Sequence, residues 1–293
     1  MIYDIKLRIS YDYAHLAAVG RHVACILPRD LGAGQRLIAG LLDITPRPSE
    51  RVDRVDFFGN RLSEFGFRNP HLGLALTMTA RIDRNDLPPQ MADSVALADL
   101  PRAIAGLADL GPDSALHYLS PSVRVPPDPA MTAFARAHLT AGMTVAEAVL
   151  ALNGALYRHM TFDAKATHVD TPASEAFAKR HGVCQDFSHI LITCLRGIGI
   201  PAGYVSGFLR TLPPPGKPRL EGADAMHAWV RAWCGPRLGW IEVDPTNNKL
   251  AGLDHIVVAR GRDYSDVAPI KGVMRGSGRQ KSRQAVDVVP VAG

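Results

Sequence analysis

No stretch of this sequence approaches the roughly 18 consecutive apolar residues that a membrane-spanning helix needs, so a soluble chain with no membrane partner is expected. Cysteine is scarce: residues 25, 184, 194 and 234 lie too far apart for a dense disulfide framework, and none forms a CxxC pair of the zinc-binding kind. An acidic ligand loop of the calcium type is missing as well, so neither a metal nor any other cofactor is expected. The first residues, MIYDIKLRISYDY, lack the charged-then-apolar order of a signal peptide. They alternate Tyr3, Ile5, Leu7 and Ile9 with Asp4, Lys6, Arg8 and Ser10, the pattern of a strand. Reduced thiols in a cytoplasm fit these absences best. There is also no internal repeat and no low-complexity tract.

What is present can fill a core. The 293 residues are 47% hydrophobic, enough for one large domain or two of ordinary size. The net charge of +5 is local, because Lys271, Arg275, Arg279, Lys281 and Arg283 follow one another with no acidic residue between them. A basic segment containing Gly and Ser reads as a solvated loop, and no nucleic-acid partner is expected.

Residues 1–85 read as successive strands, among them HVACIL, RLIAGLLDITP, VDRVDFF and LGLALTMTARID, separated by turn signals at sandwich-like intervals. Residues 86–129 are rich in Pro, Ala and Leu, with room for one short helix, and read as a linker. From 130 to 293 helices come first and strands afterwards, the order of an α+β domain. Helices are predicted over 130–139 and 145–159. A third is predicted with Thr171 as cap, Pro172 in its first turn and Gly182 after its end. Beyond Pro201 come AGYVSGFLR, the Pro-rich loop TLPPPGKPRLEGADA, then HAWVRAWC and WIEVD joined by a tight turn.

One cysteine stands apart. In KRHGVCQDFSHILITCLRGIGIP, residues Phe187, Ile190, Leu191, Cys194 and Leu195 recur at helical spacing from just after Gly182. Cys184 therefore falls in the first helical turn, where free amides and the helix dipole favour a thiolate. A thiol nucleophile needs a base, and imidazole suits the task. His227 is the candidate because it opens a strand where a loop meets the sheet, although a lone strand histidine is ordinarily structural. The antiparallel return of GWIEVDPTNN brings Asp244 towards His227, in the orienting position of a triad. Standing alone before Pro245, Asp244 would read as a turn initiator.

The segments GVCQDFSHILITCLRGIGIPAGYVSGF, HAWVRAW and GWIEVDPTNN resemble the transglutaminase-like cysteine enzyme superfamily. Its helix-borne Cys, strand-borne His and neighbouring Asp come in this chain order, which implies catalytic roles for Cys184, His227 and Asp244. LPRDLGAGQRL, DFFGN and LTMTARID, with the tail HIVVARGRDYSDVAPIKGVMRGSG, resemble the bacterial branch carrying an N-terminal β domain. The resemblance implies an α+β fold: a papain/transglutaminase-like cysteine proteinase core preceded by a β-sandwich-like domain. It implies cleavage of an amide or peptide bond in a peptide or protein substrate through a thioester, by a peptidase or amidase. Three other readings stay open: amine acyl transfer, arylamine acetyl transfer, and a non-catalytic scaffold that binds partners. Asp186 matches the family's Cys-x-Asp and is expected to cap the helix start. Trp229 and Trp233 read as core, and Cys25, Cys194 and Cys234 as packing residues. Asp263 and Tyr264 match a family signature whose role the sequence does not reveal.

Overall fold

In the computed structural model, which describes residues 1–211, 222, 224–276 and 278–291, three antiparallel sheets carry the architecture. The long first strand, β1 (Ile2–Ala17), buries Tyr3, Ile5, Leu7 and Ile9 on one face, as their alternation predicts. It is followed by β2 (Val19–Ala24), β3 (Gln35–Thr45), β4 (Glu50–Val55), β5 (Arg61–Phe67) and β6 (His71–Arg84). The strand predicted at VDRVDFF ends at Val55, and the chain turns through Asp56–Asn60, with Gly59 at a φ of 80° that favours glycine. The next strand, β5, has no counterpart in the sequence reading; its alternation is blurred because Leu62 and Ser63, then Phe65, Gly66 and Phe67, are buried in runs.

The middle segment packs closely on the rest of the molecule. After α1 (Leu100–Ala105), Ala115, Tyr118 and Val125 are buried in the common core, and the Val95 amide donates to the Cys234 carbonyl. Then come α2 (Pro129–Ala137) and α3 (Val145–His159), the latter opened by a Thr144/Glu147 capping box. A two-residue parallel pairing of β7 (Thr161–Phe162) with β8 (His181–Gly182) brackets α4 (Ala173–Lys179). Pro172 rather than Thr171 caps α4, which ends on Arg180 in the left-handed region. Next, α5 (Cys184–Gly197) packs its apolar stripe on β9 (Ala202–Leu209) and β10 (Ala225–Trp233). The sheet is extended by β11 (Trp240–Asp244), β12 (Lys249–Leu250) and β13 (His255–Gly261), in the order β12-β11-β10-β9-β13. Most of the Pro-rich loop between β9 and β10 lies outside the described residues.

After α6 (Tyr264–Val267), the chain departs from the expected assignment of 130–293 to the catalytic core. Strands β14 (Ile270–Arg275) and β15 (Gln280–Pro290) return to the front of the molecule, completing the sheets β14-β2-β5-β4 and β15-β1-β6-β3. The cause is apolar pairing: Val286 stands opposite Leu7 and Val288 opposite Ile5, all four buried. The basic residues from Lys271 to Arg283 sit on these exposed strands and their turn rather than in a free loop, and Arg283 pairs with Asp12 at 3.3 Å. Asp224, just before β10, bridges to Val286, and its carboxylate accepts the Val288 amide at 2.6 Å.

Two buried amide side chains bind the front sheets to the edge strand β13. Gln35 donates to the Val257 carbonyl at 2.7 Å and accepts the Val257 amide at 2.9 Å. Asn60 does the same at Arg260, with both bonds at 2.8 Å. The edge is thereby covered and its backbone groups satisfied.

Candidate active site

Cys184 is the first residue of α5, preceded by an extended Val183. Its amide is among the first-turn donors that have no acceptor within the helix. Asp186 closes the helix start: its carboxylate accepts the Val183 amide at 2.8 Å and the Thr167 hydroxyl at 2.5 Å. Burial pushes the Asp186 pKa up, opposed by these two bonds. Gly182 has to lack a side chain here, since a Cβ would stand 2.8 Å from the Asp186 carboxylate.

His227 lies near the start of β10 opposite Gly207 of β9. The β10–β11 ladder has Val230 opposite Val243, so Asp244, one residue on, lies diagonal to His227. The two side chains meet with Nε2 to Oδ2 at 2.8 Å. With Nε2 engaged, the other ring nitrogen is left for Cys184, which lies close enough to raise the pKa of the imidazole. Cys184, His227 and Asp244, singled out in the sequence, are thus brought together.

Asp244 is fully buried and held on both oxygens. Oδ1 accepts the amides of Thr246 and Asn247 at 2.9 and 3.1 Å. Oδ2 accepts from Asn247 Nδ2 at 2.7 Å and His255 Nε2 at 3.1 Å, besides His227. Desolvation opposes its charge, but the bonds from His227, His255 and Asn247 prevail and hold the carboxyl far below the usual carboxylate range. Desolvation also works against an imidazolium at His227. The hydrogen bonds to Asp244 and Cys184 and the charges of both outweigh it and push His227 up to about 9.

Sequence reasoning missed His255 and Asn247. The signal for His255 was faint: it opens HIVVARG much as His227 leads into HAWVRAW, and the two strands flank β9. His227, Asp244 and His255 also offer ligand atoms within 4.8 Å of one another, a composition that suits a divalent metal. The nitrogens stand 2.8 and 3.1 Å from the same oxygen, however, closer than the ~3.3 Å between ligands of a tetrahedral zinc with bonds of about 2.0 Å. The arrangement is one of hydrogen bonds.

Trp229 is fully buried, lies 6.2 Å from the His227 ring and donates Nε1–H to Glu242 at 2.7 Å; Trp233 joins the main core. Both are packing residues. Cys25, Cys194 and Cys234 are buried, and desolvation pushes each thiol up to about 12. Asp263 caps α6 by accepting the Ser265 amide at 2.7 Å and takes the Arg124 amide at the same distance. The Tyr264 amide donates to His189 Nε2 at 3.2 Å.

A helix-start thiol beside an imidazole and a buried carboxylate, on an α+β core, defines the class of thiol acyl-transfer folds. The chain belongs to the transglutaminase-like superfamily: that family's core model matches residues 132–245, and the model of the bacterial transglutaminase-like N-terminal region matches residues 3–83. An uncharacterized protein of Mycobacterium tuberculosis is 34% identical over 310 residues, covering 99% of this chain and 93% of its own length. One from Mycobacterium leprae is 27% identical, covering 97% of this chain and 96% of its own. The crystal structure of a candidate cysteine protease from Cytophaga hutchinsonii superposes with a TM-score of 0.77, at 22% identity, over 100% of this chain and 91% of that one. The shared fold is therefore that of a transglutaminase-like core joined to a strand-rich front half. No helix among the described residues is long and apolar enough to cross a membrane.

Proposed function

We propose that this protein is a cysteine peptidase or amidase in which Cys184, His227 and Asp244 cleave an amide or peptide bond through a thioester. The observation that carries this reading is the meeting of Cys184, at the start of α5, with an imidazole that is held at 2.8 Å by a buried, ionised Asp244. The Cys184 thiolate attacks the carbonyl carbon, and the Cys184 amide donates to the developing oxyanion. As the intermediate collapses, the C–N bond breaks and the His227 imidazolium gives its proton to the departing amine. Water then loses a proton to His227 and adds to the thioester; the carboxylic acid departs and the thiolate is restored. Asp244 holds the imidazole in its orientation throughout. A peptide or protein amide is the proposed substrate, and the four free thiols favour a reducing, cytoplasmic setting.

The test is turnover of a mixed peptide library followed by mass spectrometry, with and without an added primary amine. Wild-type protein should yield new carboxyl termini that Cys184→Ala does not. Products carrying the amine in place of a free carboxylate would replace hydrolysis by amine transfer. Absence of both, in folded protein with an unreactive Cys184, would leave a binding scaffold.

A further inference from the structure

His255 has no place in a Cys–His–Asp triad, yet it is almost fully buried against it. It reaches Asp244 from β13, three strands away from β11 in the sheet order. Its tautomer follows from its two contacts. Nδ1 accepts the Gly252 amide at 3.3 Å, so Nε2 carries the proton and donates it to Asp244 Oδ2 at 3.1 Å. Burial lowers the His255 pKa, against the pull of Asp244, so the ring remains a neutral donor; the charged and titratable groups it faces are Asp244, His227 and Lys249. The turn that carries it is held by the front half of the molecule: Arg84, the last residue of β6, donates Nε–H to the His255 carbonyl at 3.1 Å and Nη2–H to the Gly252 carbonyl at 3.4 Å. Arg84 also donates Nη1–H to the Gly34 carbonyl at 2.7 Å, which ties the same guanidinium to the turn that leads into β3.

Resting on the triad reading above, we infer that His255 is a positioning residue through which the N-terminal β domain fixes Asp244. Asn247 restrains the carboxylate from its own turn, whereas His255 supplies a restraint from outside it. A carboxylate free to swing would leave the His227 ring less often aligned with Cys184, which acts on the rate of acylation and not on substrate affinity.

The probe is p-nitrophenyl acetate with the full chain, where acylation of Cys184 breaks the ester C–O bond and releases nitrophenolate as a burst. His255→Phe keeps a ring against Trp229, whose present centroid distance is 5.2 Å, but lacks the donor. It should slow the burst by roughly tenfold to a hundredfold with the saturation constant unchanged. His255→Gln, whose amide can take the place of Nε2–H, should recover most of that rate. Arg84→Met should slow the burst in the same direction. A His255→Phe burst equal to wild type, or a Gln variant no faster than Phe, would overturn the role of His255; an unaffected Arg84→Met would remove the β domain from it. No burst in wild-type protein would overturn the triad reading and this inference with it. Should His255→Phe fail to fold, nitrogen NMR of 15N-histidine-labelled wild type decides: a neutral Nε2–H tautomer at His255 is expected at neutral pH, and an Nδ1–H tautomer would refute it.

Discussion

Cys184 is distinguished from the other cysteines by its surroundings. Cys25, Cys194 and Cys234 are buried with their thiols pushed up to about 12, whereas Cys184 is half-buried beside an imidazole. Iodoacetamide at neutral pH should therefore label Cys184 while sparing the others until the protein unfolds, as read by peptide mass spectrometry. The pH dependence has a definite sign. His227, pushed up to about 9, holds its proton across neutral pH and loses it above, so turnover should fall as pH climbs through about 9 for want of a proton donor. The same shift adds stability that is complete below the unfolded-state value of about 6.5 and is lost as pH rises through about 9. Asp244→Asn should leave Cys184 open to alkylation while lowering turnover by about 10³- to 10⁴-fold, measured as kcat on whichever amide the library identifies. Turnover unchanged in that variant would remove Asp244 from the triad. Cys184, His227 and Asp244 were legible in the sequence because a helix start and a hairpin are local features. His255 was not, because its meeting with Asp244 depends on how the chain loops over the end of the sheet from β11 to β13.

At the scale of elements, the start of α5 sets the position of the thiol. Asp186 takes the Val183 amide and Thr167 hydroxyl, tying the segment before α4 to the turn that presents Cys184. Asp186→Ala should cost about 1–2 kcal/mol, read as a lower urea midpoint, because both donors lose their acceptor. The core elements were legible to within a few residues: α2, α3 and α5 from their apolar stripes, β10 and β11 from alternation and a tight turn. Strand β5 was hidden because burial on both faces erases the period of two on which strand reading depends. The role of Asp186 was anticipated from its match to the Cys-x-Asp of the family the sequence resembles, whereas the Thr167 contact needed the fold.

Across the whole molecule, front and back halves are interlocked rather than strung together. Gln35 and Asn60 satisfy the outer edge of β13, and β14 and β15 complete the front sheets. Urea unfolding should accordingly show a single transition by fluorescence and circular dichroism alike. Gln35→Leu should shift that one transition by about 1–3 kcal/mol, because the Val257 amide loses its acceptor while the Val257 carbonyl keeps the Arg29 amide, and two resolved transitions would contradict the interlock. The sequence made the front strands and the core visible as separate patterns. It concealed their joining, because the pairing of Val288 with Ile5 links positions at opposite ends of the numbering.

That pairing also bears on how the molecule is made. On a ribosome β1 emerges before the core, and its edge must wait until the core has been synthesised before β15 arrives to cover it. The arriving strand also binds Asp224, at the entrance to the strand that carries His227. Closure of the front sheet and bracing of the entrance to the histidine strand therefore wait for the same strand. Nascent chains that stop short of β15 carry Cys184 without this brace, so the fold itself delays the bracing of the histidine strand until β15 has been made.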